Sequence, residues 1–506
     1  MNFTQEQNEI FNSNEQVILI KAFAGAGKTT TLKEYAKRRP KSKFLYLAFN
    51  TSVVEEAKNK FPSNVTVSTL HSIAFKEFGS DYKKKLDIPF KSMSVINYLS
   101  LDRKNKSHLE IAKIIVDIIN NYTNSSYEKL EEAVPYHNKY SRSQLFEYAE
   151  FIWFAMLDNT NDFPCTHDVY LKLFQLSNPT LNYDYLLFDE AQDANPVIVD
   201  VIMRQMMKRK LRLVVVGDSH QSIYSFKNAI NSLSKFSHDK EYHLSQSFRF
   251  GENIAYAANA ILKSLKGEKI TLKGSDVEDQ LVTTFEKDEK FAIISRTNSC
   301  LFLKAVQAVE SYKKIHFVGG FNKYNFYKIQ DVDHLYHGRI NKIRDPHIRD
   351  CETYSNFYSI AEHTADKEML FLKKIVDKYH GKIEDLFTKI KNSIVDKHFA
   401  DVVLTTAHKS KGLEFNNVFL CNDFTMFIND QGEINLRNWK EEEINILYVA
   451  ATRAIHKLRP NPTLRNIVKY YKNHWKGGKE PVIMAAQDEK TGNSLNKIKN
   501  NIKTIK

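Results

Sequence analysis

Cysteine is scarce in this sequence, and its positions exclude the usual cysteine-based metal motifs. The four residues Cys165, Cys300, Cys351 and Cys421 lie far apart along the chain. Zinc and iron–sulfur motifs instead bring their cysteines in closely spaced pairs. We therefore expect four reduced, structural thiols and a protein that works in a reducing compartment.

Signals for export and membrane insertion are also lacking. The N-terminal residues do not combine a charged stretch with an apolar one, and no apolar run approaches membrane-spanning length. We expect a soluble intracellular protein, in the cytoplasm or nucleoid of a prokaryote or phage or in the nucleus of a eukaryote. Hydrophobic residues make up 42% of the 506 residues, which excludes a disordered chain. This length predicts roughly two to four packed units.

Acidic residues are in deficit, since 60 aspartates and glutamates face 73 lysines and arginines, for a formal net charge of +13. Such an excess favours polyanionic partners, nucleic acids among them. A generally lysine-rich surface is the alternative that charge alone leaves open. The charge therefore ranks hypotheses, and the motifs decide between them.

Short apolar runs alternate with helical patterns in both halves of the chain, as in α/β folds with parallel sheets flanked by helices. The strands predicted in the first half are 17–23, 44–49, 65–68, 185–189 and 211–217. A second α/β pattern begins near Tyr242, with predicted strands 291–296, 315–318, 402–406 and 418–421. Ligands of such sheets bind beyond the carboxyl ends of the strands.

A glycine-rich segment follows the first predicted strand and precedes a helical pattern, reading Ala22-Phe23-Ala24-Gly25-Ala26-Gly27-Lys28-Thr29. Small residues let backbone N–H groups curl around phosphates, Lys28 neutralises the β- and γ-phosphates, and Thr29 can hold Mg²⁺. Ala22 stands where the usual pattern has its first glycine. A purely structural glycine turn is therefore the alternative to a nucleotide site.

A carboxylate pair ends a later apolar strand, in the segment Leu186-Leu187-Phe188-Asp189-Glu190-Ala191-Gln192-Asp193. Asp189 would reach the water shell of the metal, and Glu190 is placed to polarise the attacking water. Such a pair is often only a helix cap. Because it follows a phosphate loop in the required chain order, the two motifs together predict an ATPase that uses Mg²⁺.

Phosphoryl transfer also needs positive charge beside the γ-phosphate in the transition state. Arg249 and Arg453, both in the second half of the chain, are candidates. Taken alone, each is better read as an ordinary surface arginine.

The order of these and further blocks resembles the UvrD/Rep/PcrA-like branch of superfamily 1 DNA helicases, and most nearly the helicase region of the F-box DNA helicases. The resemblance runs from about Phe3 to Leu458 and is poor in two helical insertions. It implies two RecA-like P-loop motor domains, each with a mainly helical insertion, and ATP in the cleft between them. It also implies 3′→5′ travel on single-stranded DNA.

The resemblance divides the chain into the following regions. The first motor domain (1A) would span 1–80 and 169–240, with a helical insertion (1B) at 81–168. The second motor domain (2A) would span 241–321 and 401–475, with a reduced helical accessory insertion (2B) at 322–400. A basic, loosely ordered tail would cover 476–506.

Position within the resembling blocks assigns roles at the nucleotide. Gln7 would read adenine, although a solvated helix residue is its alternative, and Gln221 would sense the γ-phosphate. Phe248 would stack on the base and Glu414 would lie near the ribose, while Thr30 replaces an arginine beside the adenine in many relatives. The candidate ATP-binding residues are thus Gln7, Ala24, Gly25, Ala26, Gly27, Lys28, Thr29, Thr30, Phe248 and Glu414. The catalytic candidates are Lys28, Asp189, Glu190, Gln221, Arg249 and Arg453. Mg²⁺ would be held by Thr29 and, through water, by Asp189.

Aromatic and polar residues just beyond the motor strands suit a single-strand track, because stacking and phosphate contacts are largely independent of base sequence. By resemblance, the residues lining this track are Phe49, Asn50, Thr69, His71, Tyr224, Phe226, Lys227 and His408. Core packing is the alternative for Phe49, Tyr224 and Phe226.

The leading hypothesis is a 3′→5′ ATP-dependent DNA translocase or helicase that unwinds duplexes or strips bound proteins in repair, recombination or replication. Single-stranded or tailed duplex DNA, and a protein bound through the insertions or tail, are the expected partners; no membrane is. An RNA-directed motor is an alternative, because stacking tolerates either sugar. An ATP-gated nucleic-acid-binding assembly subunit that does not translocate is another.

Overall fold

The computed structural model describes residues 2–102, 105–208, 211–224, 232–286, 288–363, 366–429, 432–435 and 439–475. The chain forms two compact units, the first ending at Leu244 and the second beginning at Ser245. The predicted tail, 476–506, lies outside the described residues. Among the described helices, none has the length and apolarity needed to cross a membrane.

The first unit is built on a sheet of six strands. All of its strand pairs are parallel, as the alternating pattern predicted. Its strands, in the spatial order β3-β2-β4-β5-β1-β6, are β1 (Val17–Ala22), β2 (Phe44–Leu47), β3 (Val65–Ser68), β4 (Tyr185–Phe188), β5 (Arg212–Gly217) and β6 (Lys240–Leu244). Their carboxyl ends share one edge, so the residues that follow β1, β2, β4 and β5 lie near one another.

Helices cover both faces of this sheet. Their bounds are α1 (Gln5–Asn12), α2 (Lys28–Lys37), α3 (Thr51–Lys58), α4 (Leu70–Ala74), α5 (Ser92–Tyr98), α6 (Lys106–Asn124), α7 (Arg142–Leu157), α8 (His167–Leu176) and α9 (Pro196–Lys208). Alternate residues of β1 enter different cores, because successive strand side chains point to opposite faces. Val17 and Leu19 pack in the core shared with α8 and α9, whereas Ile18 and Ile20 pack in the core shared with α2 and α3.

The helical region between β3 and β4 has a core of its own. Side chains from α5, α6, α7 and the start of α8 form one buried cluster that includes Ile115, Leu145 and Trp153. Because it has its own core, this region packs as a separate module beside the sheet and does not cover a face of the sheet.

The second unit is built on another six-stranded parallel sheet. In the spatial order β7-β12-β11-β8-β10-β9, its strands are β7 (Gln280–Leu281), β8 (Phe291–Ser295), β9 (Ile315–Phe317), β10 (Val402–Thr406), β11 (Phe415–Leu420) and β12 (Ala454–Arg459). The predicted fold class, α/β with two parallel sheets, is confirmed.

The helices of the second unit include a run of five between β9 and β10. The bounds are α10 (Glu252–Lys266), α11 (Asn298–Glu310), α12 (Tyr327–Tyr336), α13 (Pro346–Arg349), α14 (Tyr354–His363), α15 (Lys367–Tyr379), α16 (Ile383–Asn392), α17 (Ala407–Ser410), α18 (Glu441–Ala451) and α19 (Pro462–Trp475). Val332, Val376 and Phe387 of this run share a buried cluster with Phe317 and Leu404 of the sheet. The run is therefore anchored on the sheet, unlike the helical region of the first unit.

Three strands differ from the sequence prediction. The strand near Tyr242, where the second α/β pattern was expected to begin, is β6, and it pairs with β1 in the first sheet. Strands β7 and β12 were not predicted; β7 has only two residues, and in β12 the polar residues His456, Lys457 and Arg459 interrupt the apolar ones. The finer division of each unit into motor domain and insertion stays a prediction.

Candidate nucleotide site

The bend between β1 and α2 has the backbone geometry of an anion-binding loop. Gly25 and Gly27 both have φ of 73°, a left-handed conformation that favours glycine. Gly27 immediately precedes α2 and provides no side-chain cap. The first-turn N–H groups of this ten-residue helix therefore lack a capping side chain and point to where a phosphate would bind. Ala24 and Ala26 complete the bend, and both are buried.

Lys28, the first residue of α2, forms an ion pair across the strand ends. Its Nζ lies 2.7 Å from Oε1 of Glu190, and only 13% of the lysine side chain is exposed. Burial opposes its charge, but the carboxylates of Glu190, Asp189 and Asp218 outweigh burial and raise the pKa of Lys28. The lysine is thus fully charged at neutral pH and surrounded by three acidic groups.

Asp189 follows β4 and is held from two sides. The Tyr46 hydroxyl donates to its Oδ2 at 2.6 Å, and the backbone N–H of Glu190 donates to its Oδ1 at 2.8 Å. Burial, reinforced by the charge of Glu190, raises the pKa of Asp189 to about 6, against the opposing effects of Lys28 and the Tyr46 hydrogen bond. A nearby cation would therefore stabilise the charged form of this buried carboxylate.

The oxygen donors here fit Mg²⁺, a hard cation that takes oxygen ligands and keeps several waters. The Tyr46 hydroxyl is hydrogen-bonded to both Asp189 and Thr29. The Thr29 hydroxyl and the Asp189 carboxylate are therefore neighbours on either side of one buried phenol. Thr30, next in α2, is half-buried.

Glu190 leaves its strand in a left-handed conformation, with φ of 52°. This turn brings its carboxylate against the buried amide of Gln192, which donates to Oε2 of Glu190. The Gln192 Oε1 in turn accepts the backbone N–H of Asp218 at 3.0 Å. A Cβ on Gly217 would lie 2.3 Å from that same Oε1, so the end of β5 must be glycine for this contact to form.

Asp218 connects these hydrogen bonds to Gln221. Its Oδ2 accepts Nε2 of Gln221 at 2.7 Å, and its Oδ1 accepts the backbone N–H of His220 at 3.0 Å. Gln221 is 5% exposed. A continuous series of polar contacts therefore runs from Lys28 to Gln221, and we refer to its five members as the polar relay: Lys28, Glu190, Gln192, Asp218 and Gln221.

Sequence reasoning assigned no role to Tyr46, Gln192 or Asp218. Gln192 lies inside the motif of Asp189 and Glu190, and Asp218 lies between the predicted strand 211–217 and Gln221, so their polar side chains beside catalytic candidates were a usable signal. Tyr46 carried a weaker signal, because its hydroxyl lies within the apolar run Phe44–Leu47. Its partner, Asp189, follows β4, and the two residues come together only because β2 pairs with β4.

Gln7 is 2% exposed, which rules out the solvated alternative. It closes a capping box with Thr4, the residue before α1, and its Nε2 donates to Thr31 Oγ1 at 3.0 Å. The Thr31 hydroxyl then donates to the Gly27 carbonyl at 2.9 Å. Gln7 is thus fixed next to the phosphate-loop helix, and its adenine-reading role stays a prediction.

In the second unit, the candidates that follow β6, β10 and α18 gather at one place. Arg249 donates through Nε to Glu414 at 2.7 Å and through Nη1 to the Thr452 carbonyl at 2.8 Å. Arg453 is 1% exposed and donates through Nε to the Val449 carbonyl at 2.9 Å. The "surface arginine" alternative is therefore wrong for Arg453.

Phe248, the proposed base-stacking residue, exposes 46% of its surface. A phenylalanine this open has no core to fill and presents a ring to solvent. His408 lies in the short helix α17 after β10 and is half-buried. Its charge acts on the carboxylate of Glu443 in α18.

Two track candidates of the first unit stack on each other. The rings of Phe49 and Tyr224 are 5.6 Å apart and 12° from parallel, and both residues are half-buried. Neither belongs to the two buried cores of the sheet. Phe226 and Lys227 lie outside the described residues.

The remaining track candidates already serve local structure. The side chains of Asn50 and Thr69 cap α3 and α4, accepting the N–H groups of Val53 and Ser72. Nε2 of His71 lies 3.4 Å from Asp168 at the start of α8. Asn50 is nevertheless exposed, so its cap leaves it open to solvent.

Comparison with known proteins shows that this chain is similar to helicases. The family model described as UvrD/REP helicase N-terminal domain matches residues 3–241. F-box DNA helicase 1 of Gallus gallus is 34% identical over 93% of this chain and 50% of its own length, and F-box DNA helicase protein 1 of Schizosaccharomyces pombe is 32% identical over 89% and 56%. ATP-dependent DNA helicase PcrA of Leuconostoc citreum is 24% identical over 65% and 51%. The chain thus spans about half the length of these relatives.

Proposed function

Residues 3–241 belong to the UvrD/REP helicase N-terminal domain family, and on that premise we propose that this chain is an ATP-dependent DNA helicase or translocase. The resemblance inferred from the sequence is confirmed at the level of this family. The observation that carries the proposal is the polar relay, because it links the phosphate loop to the segment that leads to the Phe49–Tyr224 stack.

The ion pair of Lys28 with Glu190 supports a partner exchange on ATP binding. The triphosphate offers Lys28 a stronger anionic partner than one carboxylate, so the lysine turns to the β- and γ-phosphates. Glu190 then orients the attacking water and accepts its proton. Gln192 keeps the Glu190 carboxylate in place throughout, because it holds the other carboxylate oxygen.

Mg²⁺ would be held by the Thr29 hydroxyl and, through water, by Asp189, and would supply charge neutralisation at the phosphates. The raised pKa of Asp189 supports this assignment, since a cation would relieve the cost of its buried charge. The ring hydroxyl of Tyr46 orients the carboxylate as an outer hydrogen-bond partner. Gln7 and Thr30 are proposed to face the adenine.

Arg249 and Arg453 are proposed to stabilise the γ-phosphate in the transition state, with Phe248 stacking on the base and Glu414 near the ribose. Arg249 is held by Glu414, whose side chain is 49% exposed and can release it. Arg453 is fixed by the Val449 carbonyl, which keeps the guanidinium at the carboxyl end of α18. Their proximity within the second unit supports a shared task.

The proposed track begins at the Phe49–Tyr224 stack. Tyr224 lies three residues after Gln221 in the chain, so a shift of the γ-phosphate sensor is transmitted through a very short segment. Opening the stack would present two aromatic faces to bases, which bind single strands without sequence preference. Asn50, Thr69, His71, Phe226, Lys227 and His408 are proposed as further contacts, on DNA that is travelled 3′ to 5′.

Strand displacement on duplexes with 3′ or 5′ tails tests the whole proposal. Wild type should unwind, or strip a bound protein from, only the 3′-tailed substrate, and only with ATP. Lys28→Ala should lose all activity because the phosphates lose their counter-charge. Lys21→Ala is the matched control, since Lys21 is an exposed lysine of β1 paired with Glu241.

Three outcomes would redirect the proposal. Activity retained in Lys28→Ala would refute the nucleotide site. Displacement of RNA duplexes in preference to DNA would favour the RNA-directed motor. ATP-dependent binding without displacement or translocation would favour the assembly subunit.

A further inference from the structure

Two thiols and a carboxylate that are far apart in the sequence meet in the second unit. Cys300 lies in the first turn of α11, Cys421 directly follows β11, and Asp423 lies two residues later. Their ligating atoms all lie within 4.8 Å of one another, and the Cys421 thiol is hydrogen-bonded to Cys300. All four cysteines are free, as expected, but two of them are neighbours in space although their spacing in the sequence gives no sign of it.

The parallel sheet explains how the two cysteines meet. Strands β8 and β11 are neighbours, and the Cys421 N–H continues their ladder by donating to the Ile294 carbonyl at 3.0 Å. The chain leaves β8 through Thr297, whose hydroxyl caps α11 by accepting the Cys300 N–H at 3.1 Å. Both thiols are thus fixed to the carboxyl edge of one rigid sheet.

The carboxylate of Asp423 is oriented by its own hydrogen bonds. Oδ1 accepts the backbone N–H of Arg296 at 3.1 Å, and Oδ2 accepts both the N–H and the hydroxyl of Thr297 at 2.8 Å. A carboxylate offers about four acceptor positions, so these three bonds leave room for one more. Outer partners of this kind hold metal-binding carboxylates in place.

We propose that Cys300, Cys421 and Asp423 form a site for a thiophilic divalent cation of the Zn²⁺ type. With Zn–S distances of about 2.3 Å and Zn–O distances of about 2.0–2.2 Å, tetrahedral ligand atoms lie roughly 3.5–3.8 Å apart. The observed limit of 4.8 Å lies within reach of small side-chain rotations. Two sulfurs and one oxygen suit zinc, whereas Mg²⁺ prefers oxygen alone.

The environment favours a site with one open position. Cys421 is fully buried, whereas Cys300 and Asp423 are half-buried and reach solvent. A water molecule can therefore complete four-fold coordination from the side of Cys300. Bound metal would join the start of α11 to the segment after β11 and stabilise the second unit.

Cobalt binding to the full-length protein tests the site, because thiolate-bound Co²⁺ gives an intense near-ultraviolet band. The reduced, chelator-stripped protein, without nucleotide or Mg²⁺, should bind one equivalent of Co²⁺, and Zn²⁺ should displace it. Cys300→Ser should remove the band, and Asp423→Asn should weaken binding by about tenfold or more. Zn²⁺ should also raise the melting temperature of wild type and not that of Cys300→Ser.

Cys351→Ser is the matched control, since Cys351 is another free, buried cysteine of the second unit and lies outside the cluster. It should keep the band, as should Lys28→Ala, whose defect concerns ATP. Circular dichroism checks that Cys300→Ser, at a half-buried position, keeps the fold.

The proposal is overturned if wild type gives no thiolate band, or if Cys300→Ser and Cys351→Ser bind alike. It is also overturned if the pair only forms a disulfide. In that reaction the two thiols pass two electrons and two protons to glutathione disulfide, whose S–S bond breaks to give two molecules of glutathione, and mass spectrometry would show a Cys300–Cys421 bond in protein that binds no metal.

Discussion

Replacing Asp189 by asparagine should stabilise the protein while abolishing ATP hydrolysis. The carboxylate is buried, 4% exposed, and pays for its position with a pKa raised from 3.8 to about 6. Burial is the main cause, and the neighbouring charge of Glu190 adds to it. Asparagine has nearly the same shape and no charge, so it removes this cost together with the metal-binding group.

The magnitude follows from the shift in pKa. A carboxyl whose pKa is raised in the folded state favours folding while it is protonated, and that stability is lost as the pH rises from 3.8 to about 6. A shift of about two units, at roughly 1.4 kcal/mol each, corresponds to about 3 kcal/mol. The gain of Asp189→Asn is therefore at most about 3 kcal/mol, complete above pH 6 and absent below pH 3.8.

Hydrogen exchange of peptides from β1 and β5 measures this gain in the first unit alone, in nucleotide-free protein with chelator. The difference between Asp189→Asn and wild type should grow from about pH 4 to about pH 6 and change little above that. Asp184→Asn, at an exposed carboxylate just before β4, is the matched control. A variant that is less stable than wild type at neutral pH, or that still hydrolyses ATP, would refute the reasoning.

Two further substitutions probe the path from ATP to the track. Gly217→Ala should displace Gln192, because the new Cβ would lie 2.3 Å from its Oε1, and kcat should fall by about tenfold or more in a steady-state ATPase assay. A wild-type kcat would show that the Gln192 contact is dispensable. Phe49→Ala should keep basal hydrolysis but lose the response to single-stranded DNA, whereas Phe49→Tyr should retain it, because stacking contributes about 1–3 kcal/mol per base. Equal stimulation of both Phe49 variants would remove this residue from the track.

Much of the fold could be predicted because it depends on local patterns. The apolar runs of β1, β4 and β5 and the glycines around Lys28 identify strands and a loop by themselves. The strand at Lys240–Leu244 was assigned to the second half because sequence order does not reveal that it pairs with β1. Strand β12 was not predicted because His456, Lys457 and Arg459 interrupt its apolar residues and leave little apolar signal.

Residues of the candidate site could be predicted where a single local motif indicates the role. They could not be predicted where the contact joins two segments that are distant in the sequence. The spacing of residues within two short motifs was enough to predict roles for Lys28, Asp189 and Glu190. The phenol of Tyr46 acquires its partner only when β2 lies beside β4. Cys300 and Cys421 likewise meet through the pairing of β8 with β11, which no spacing rule encodes.

The central claim is that ATP hydrolysis at Lys28 is coupled to a nucleic-acid track, and the ATPase rate measured against polymer concentration tests it most directly. Wild-type protein should hydrolyse ATP much faster with single-stranded DNA than with RNA of the same sequence or with no polymer. The stimulation should weaken steeply as salt rises, because bound phosphates release counterions. A rate that is the same with and without DNA would contradict the account.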